Sequence, residues 1–98
     1  IMTAFGSSTN INSTNVTSET KAVTVGPARV YGIHASGPAA AGDITLTNGS
    51  GGTELFKIKK GGHVHDIVMN FPQPIYFSSS VYSAFTTEQV TSLTVLHS

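Results

Sequence analysis

The sequence predicts an all-β chain: a single small β-sandwich of seven or eight short antiparallel strands, jelly-roll-like, with an extended N-terminal arm. Three observations carry that expectation. Apolar and polar residues alternate with a period of two at short intervals, while Thr, Ser, Val, Gly and Pro interrupt every helical stripe. Turn signals separate the runs at spacings of about 8–12 residues, which suits two packed sheets better than any mixed fold. The first twenty residues follow neither pattern.

Residues 1–20 are mostly Ser, Thr, Asn and Gly, with Ile1, Met2, Phe5, Ile11 and Val16 as the only large apolar side chains. Ordering such a stretch costs more conformational entropy than five apolar side chains return. The expected division is therefore an arm over 1–20, held by a partner surface, and a sandwich over 21–98. Met2, Phe5, Ile11 and Val16 are the expected partner-binding anchors, and removing 1–20 is expected to leave the body folded.

Within the body, residues 21–25 read as a first strand ended by Gly26 and Pro27, and 28–36 as a second with Tyr31, Ile33 and Ala35 on one face. Gly37-Pro38 and the alanines that follow form a loop. Residues 43–47 place Ile44 and Leu46 together, and Asn48-Gly49-Ser50-Gly51-Gly52 is the strongest turn signal, so a hairpin is expected with 54–59. That return strand turns Phe56 and Ile58 inward and Lys57 and Lys59 outward. After Gly61-Gly62 comes a strand over 63–71, a corner bracketed by Pro72 and Pro74, and short strands over 75–77, 81–86 and 90–97.

Composition narrows the function classes. The chain has 98 residues and no cysteine, so disulfides and Cys-based metal sites are excluded. Only 10% of residues are charged, with five Lys plus Arg against five Asp plus Glu, well below the roughly 25% of an ordinary globular chain. No nucleic-acid partner is expected from so few basic groups. The cluster Lys57, Lys59 and Lys60 reads as a solvated strand end that discourages edge pairing. No run approaches the roughly 18 apolar residues of a membrane span, so no membrane partner is expected either.

Candidate chemistry is sparse. In a strand, His63 and His65 share a face and Asp66 takes the other, giving one subunit two imidazoles and no third ligand nearby in sequence. Three copies about a threefold axis would supply six nitrogens. The competing reading seats His65 as an inner residue beside Ile67, Met69 and Phe71. Ser78-Ser79-Ser80 and the histidines lack a nucleophile elbow, the acidic residues are isolated, and the glycines of 48–52 lead into a strand rather than a helix. The expectation is a non-enzyme with no cofactor and no catalytic residue. Tyr31, Tyr76 and Tyr82 could stack on a sugar ring or pack the rim of the core.

The Gly/Ser-rich hairpin, Gly61-Gly62-His63, the run Phe71-Pro72-Gln73-Pro74-Ile75-Tyr76-Phe77, Val81-Tyr82 and the closing Thr91-Ser92-Leu93-Thr94-Val95-Leu96 together resemble small virion proteins of tailed bacteriophages, most of all those of marine phages. The resemblance covers roughly residues 28–98. It implies a small β-sandwich on the virion surface, a capsid decoration or cement protein whose homo-oligomers, trimers or dimers, lie over joints between major capsid protein subunits. No catalytic residues come with it. The alternative it leaves open is a receptor- or glycan-binding module of a phage tail or surface fibre.

Overall fold

The computed structural model describes residues 11–98. It holds eight strands: β1 (Asn12–Val16), β2 (Thr20–Ala22), β3 (Ala28–Ser36), β4 (Gly42–Asn48), β5 (Glu54–Lys60), β6 (Asp66–Phe77), β7 (Val81–Phe85) and β8 (Ser92–His97). They form two four-stranded antiparallel sheets, ordered β1-β8-β3-β6 and β2-β7-β4-β5. Successive strands cross between sheets except at the β4–β5 hairpin, and the two orders together are those of a jelly roll, as the sequence predicts.

Period-two alternation builds the core between the sheets. Leu93 and Val95 of β8, Ala28, Val30, Ile33 and Ala35 of β3, and Val16 of β1 face Ile44 and Leu46 of β4 and Val81 and Phe85 of β7, with Phe77 and Val90 closing the ends. Each large aliphatic or aromatic member contributes about 1.5–3 kcal/mol by leaving water. Ser83 lies on the same inward face of β7, and its hydroxyl donates a long 3.4 Å bond to the Lys21 carbonyl.

Two boundaries differ from the expectation. The sandwich already includes Asn12 and does not wait for residue 21: β1 pairs with β8 from Asn12↔His97 to Val16↔Leu93, and Val16 is 2% exposed. Val16 is thus a core residue rather than an arm anchor, and residues 12–20 belong to the body. Polar side chains do this work because β1 is an edge strand. Asn15 Nδ2 donates to Ser92 Oγ and Thr94 Oγ1 at 2.7 and 3.0 Å on the outer face, while Thr14 meets buried His97. Met2 and Phe5 lie outside the described residues, and Ile11, just before β1, is 46% exposed.

The second difference lies at the prolines. No corner separates 66–71 from 75–77; both belong to β6, which spans twelve residues, while 63–65 precede it in a loop. The register breaks at Tyr31: against β8 it is an extra residue of β3, between Val30↔His97 and Gly32↔Leu96, while against β6 the excess is on the other strand, with residues 71–74 between Val30↔Ile75 and Gly32↔Asn70. Pro72 and Pro74 sit in that unpaired stretch of an edge strand, the place where a missing N–H costs least. The bulge also shifts phase, putting Val30 and Ile33 inward and turning Tyr31 half out. Gly32 is required there, because an added Cβ would lie 2.5 Å from the Met69 carbonyl oxygen.

One end of the sandwich carries loops 17–19, 37–41, 61–65 and 86–91, and the other carries 23–27, 49–53 and 78–80. At the second end Gly49, with φ of 84°, turns the chain out of β4. There Asn48 ties the two turns together, donating to Ser78 Oγ at 3.0 Å and accepting from the Ser79 amide at 2.7 Å.

Truncation separates the body from the arm. Removing residues 1–10 is expected to leave thermal unfolding unchanged, whereas removing 1–20 strips β1 and opens the core, costing several kcal/mol. Val16→Ala alone should cost about 1.5–3 kcal/mol in denaturant titration; an unfolding midpoint unmoved by Val16→Ala would contradict the placement of β1.

Candidate partner interface

A two-sheet sandwich exposes four edges, and here they are unequal. β1 and β6 flank the first sheet, and β2 and β5 the second. β1 spans five residues, four of them polar and mostly exposed, and β2 only three. β5 holds exposed Lys57 and Lys59, and Lys57 pairs with Asp43 at 3.7 Å, both side chains half exposed. Short length and lysines are the usual guards of an edge. β6 has neither over residues 66–71, where Val68 is 64% exposed and Asp66 is the only charge.

Beside that edge the sandwich is incompletely closed. Phe56 and Ile58 of β5 and Met69, Phe71 and Ile75 of β6 pack on the core but stay partly exposed. Phe56 and Phe71 tilt against each other with ring centroids 5.0 Å apart and planes at 54°, a geometry worth about 0.5–1.5 kcal/mol beyond area burial. Exposed Val68 on the outer face and partly covered Ile67, Met69 and Phe71 on the inner one leave this edge with accessible apolar side chains on both faces.

The loop end is organised by Lys60. Its phase with Phe56 and Ile58 turns it inward, and it is 1% exposed. The Nζ donates to the carbonyls of Pro38, Ala40 and Val64 at 2.6, 2.6 and 2.7 Å, so all three ammonium protons are used. The cluster expected to be solvated is therefore split: Lys57 and Lys59 face water, and Lys60 clamps loop 37–41 to loop 61–65. Gly37 adds a bond from its amide to the His65 carbonyl at 2.9 Å. Beside the clamp lies a shallow cleft of about 380 Å³ bordered by Asp43, Lys59, Thr86 and Gln89.

The histidines do not occupy a strand face. His63 and His65 lie exposed in loop 61–65, before β6 begins at Asp66. His65 uses Nδ1 on the Gly37 carbonyl at 3.1 Å, so it is a loop contact and not an inner residue of the apolar row. Among the described residues of one chain, no three His, Cys, Asp or Glu side chains gather as a metal site. The buried histidine is His97, which the sequence reading passed over: Nδ1 donates to a Ser98 oxygen at 2.9 Å, leaving Nε2 to accept from the Thr14 hydroxyl at 2.8 Å. Its alternation with Leu93 and Val95 was the available signal.

The tyrosines divide as well. Tyr31 and Tyr82 are half-buried, while Tyr76 is 52% exposed with the Arg29 guanidinium carbon 5.1 Å from its ring centroid. One face of that ring is thus occupied by a cation–π partner.

Comparison of the chain with protein family models, with curated proteins and with solved structures finds no match in any of the three.

Lys60→Met keeps the stem and removes the donors, so three carbonyls lose their partner. The expected loss is on the order of 3 kcal/mol, with faster hydrogen exchange in loops 37–41 and 61–65 than in β8. Exchange unchanged in those loops would show that the clamp does not hold them.

Proposed function

We propose that this chain is a non-enzymatic virion structural protein, a capsid decoration or cement protein that binds the major capsid protein lattice and stabilises a phage head. The observation that supports it most is where the N-terminal segment joins the body. The described body starts at exposed Ile11, just before edge strand β1, so the chain enters the sandwich at an edge of the first sheet. The segment 1–11, with Met2, Phe5 and Ile11 as its anchors, is the attachment arm. It is shorter than the twenty residues suggested by composition, because Val16 is used inside.

The jelly roll agrees with this reading without deciding it, since the same architecture serves capsid and lectin domains. Within that range of uses, the capsid reading is favoured here by the resemblance of the sequence pattern over residues 28–98 to small phage virion proteins. An extended segment gains main-chain hydrogen bonds along a neighbour's sheet edge, and many copies on one lattice turn a weak contact into firm attachment.

A second reading has one specific observation behind it. Exposed Tyr76 is an aromatic platform on the outer face, which would suit a sugar ring in a receptor-binding module of a tail or fibre.

Cosedimentation with particles lacking this protein tests both. Full-length chain is expected to bind and raise the temperature of head rupture, and a chain of residues 11–98 to bind at least tenfold more weakly. Equal binding by the truncated chain would remove the arm from the account. No particle binding at all, combined with glycan binding lost in Tyr76→Ala, would favour the second reading.

A further inference from the structure

The four edges of this sandwich are treated differently, and the difference points to a self-association site. β5 carries lysines, β2 has three residues, and β1 has four polar residues before buried Val16. Among the described residues, 66–71 of β6 form an edge segment of six residues with neither a lysine nor a proline, longer and more apolar than the lysine-free β1, and β3 pairs with it on one side. Its outward Val68 is 64% exposed and its inward row Ile67, Met69 and Phe71 is half-covered. An apolar unguarded edge recruits another strand.

We infer that two copies of this chain pair through β6, antiparallel about a twofold axis at Val68, joining their first sheets into one eight-stranded sheet. The register follows from faces and charges. Antiparallel neighbours must share a face, and pairing Val68 with its twofold mate sets Ile67 against Met69 of the other copy and Asp66 against Asn70. The inward apolar row then continues across the seam, under the half-open flank formed by Phe56, Ile58 and Phe71. Charge is compatible too. The two Asp66 carboxylates fall at opposite ends of the ladder, about 13 Å apart along the strands, which exceeds the screening length of about 8 Å at physiological salt.

Pro72 and Pro74 confine the pairing. They lack the donors a longer ladder needs, so the shared segment stops short of them and further slippage is disfavoured. The same prolines keep an otherwise aggregation-prone edge from pairing along its whole length. This site stands on the edge geometry alone and does not rest on the capsid reading: it is read from free protein, and particle binding is measured separately.

Sedimentation equilibrium of the full chain up to about 100 μM should show a reversible monomer–dimer equilibrium, as expected for a small interface. Val68→Lys should weaken it at least tenfold while leaving the unfolding midpoint in place, since Val68 lies outside the core. The chain has no cysteine, so Val68→Cys gives a second readout: mild oxidation should yield a disulfide-linked dimer, and Val64→Cys or Tyr76→Cys, at other exposed positions, should not. A strictly monomeric chain, a trimer, or a dimer indifferent to Val68→Lys would overturn the inference. So would a dimer lost on removal of residues 1–10 but kept by Val68→Lys, which would make the N-terminal segment the occupant.

Discussion

The structure depends on the insertion of its last two strands. β8 lies between β1 and β3 in one sheet, and β7 lies between β2 and β4 in the other. Until residues 81–97 are in place, β1 and β2 have no sheet to join and the inward faces of β3 and β4 have no full cover. Leu93, Val95, Val81 and Phe85 thus close the core that earlier residues only begin. Pairings such as Asn12 with His97 span nearly the entire chain. Contacts of that separation carry a high loop-closure cost, so folding of this topology is governed by long-range pairing and not by local propensity.

That dependence explains which parts of the fold are legible in the sequence. Strands buried on one face, such as β4 with Ile44 and Leu46 or β8 with Leu93 and Val95, show their alternation openly. β1 does not, because its inward positions are Thr14 and Val16 and its outward ones are polar, and its reason to be a strand lies some eighty residues away in β8. β6 misleads in the opposite sense. Two prolines ordinarily end a strand, yet here the register break at Tyr31 leaves an unpaired stretch of β6 that accommodates them. Periodicity reports what a segment buries, not which distant strand accepts it.

The site features divide along the same line. Lys60 sits in phase with Phe56 and Ile58, so its inward direction was written in β5; its acceptors, the carbonyls of Pro38, Ala40 and Val64, were not, since backbone carbonyls have no sequence signature. His63 and His65 have the spacing of a shared strand face, but Gly61-Gly62 and the Lys60 bond to Val64 keep that stretch in a loop. The unequal guarding of the edges becomes visible only when the topology says which strands are edges.

The placement of β1 also bears on what an arm could transmit. Asn12, the first residue of β1, lies at the end that carries Ser98 and loop 78–80, opposite the Lys60 clamp. Tension along β1 would load its whole ladder with β8 in shear, together with the Asn15 bonds to Ser92 and Thr94 and the Thr14 bond to His97. Tension across the sheet would instead break those contacts one pair at a time, starting at His97. Under the proposed tethering, pull that continues the line of β1 would be resisted best, with the first sheet lying along the partner surface. The β6 edge, three strands away in the same sheet, would then lie along it too, where the proposed second copy, turned by 180° about an axis normal to the sheet, would present the same face to that surface.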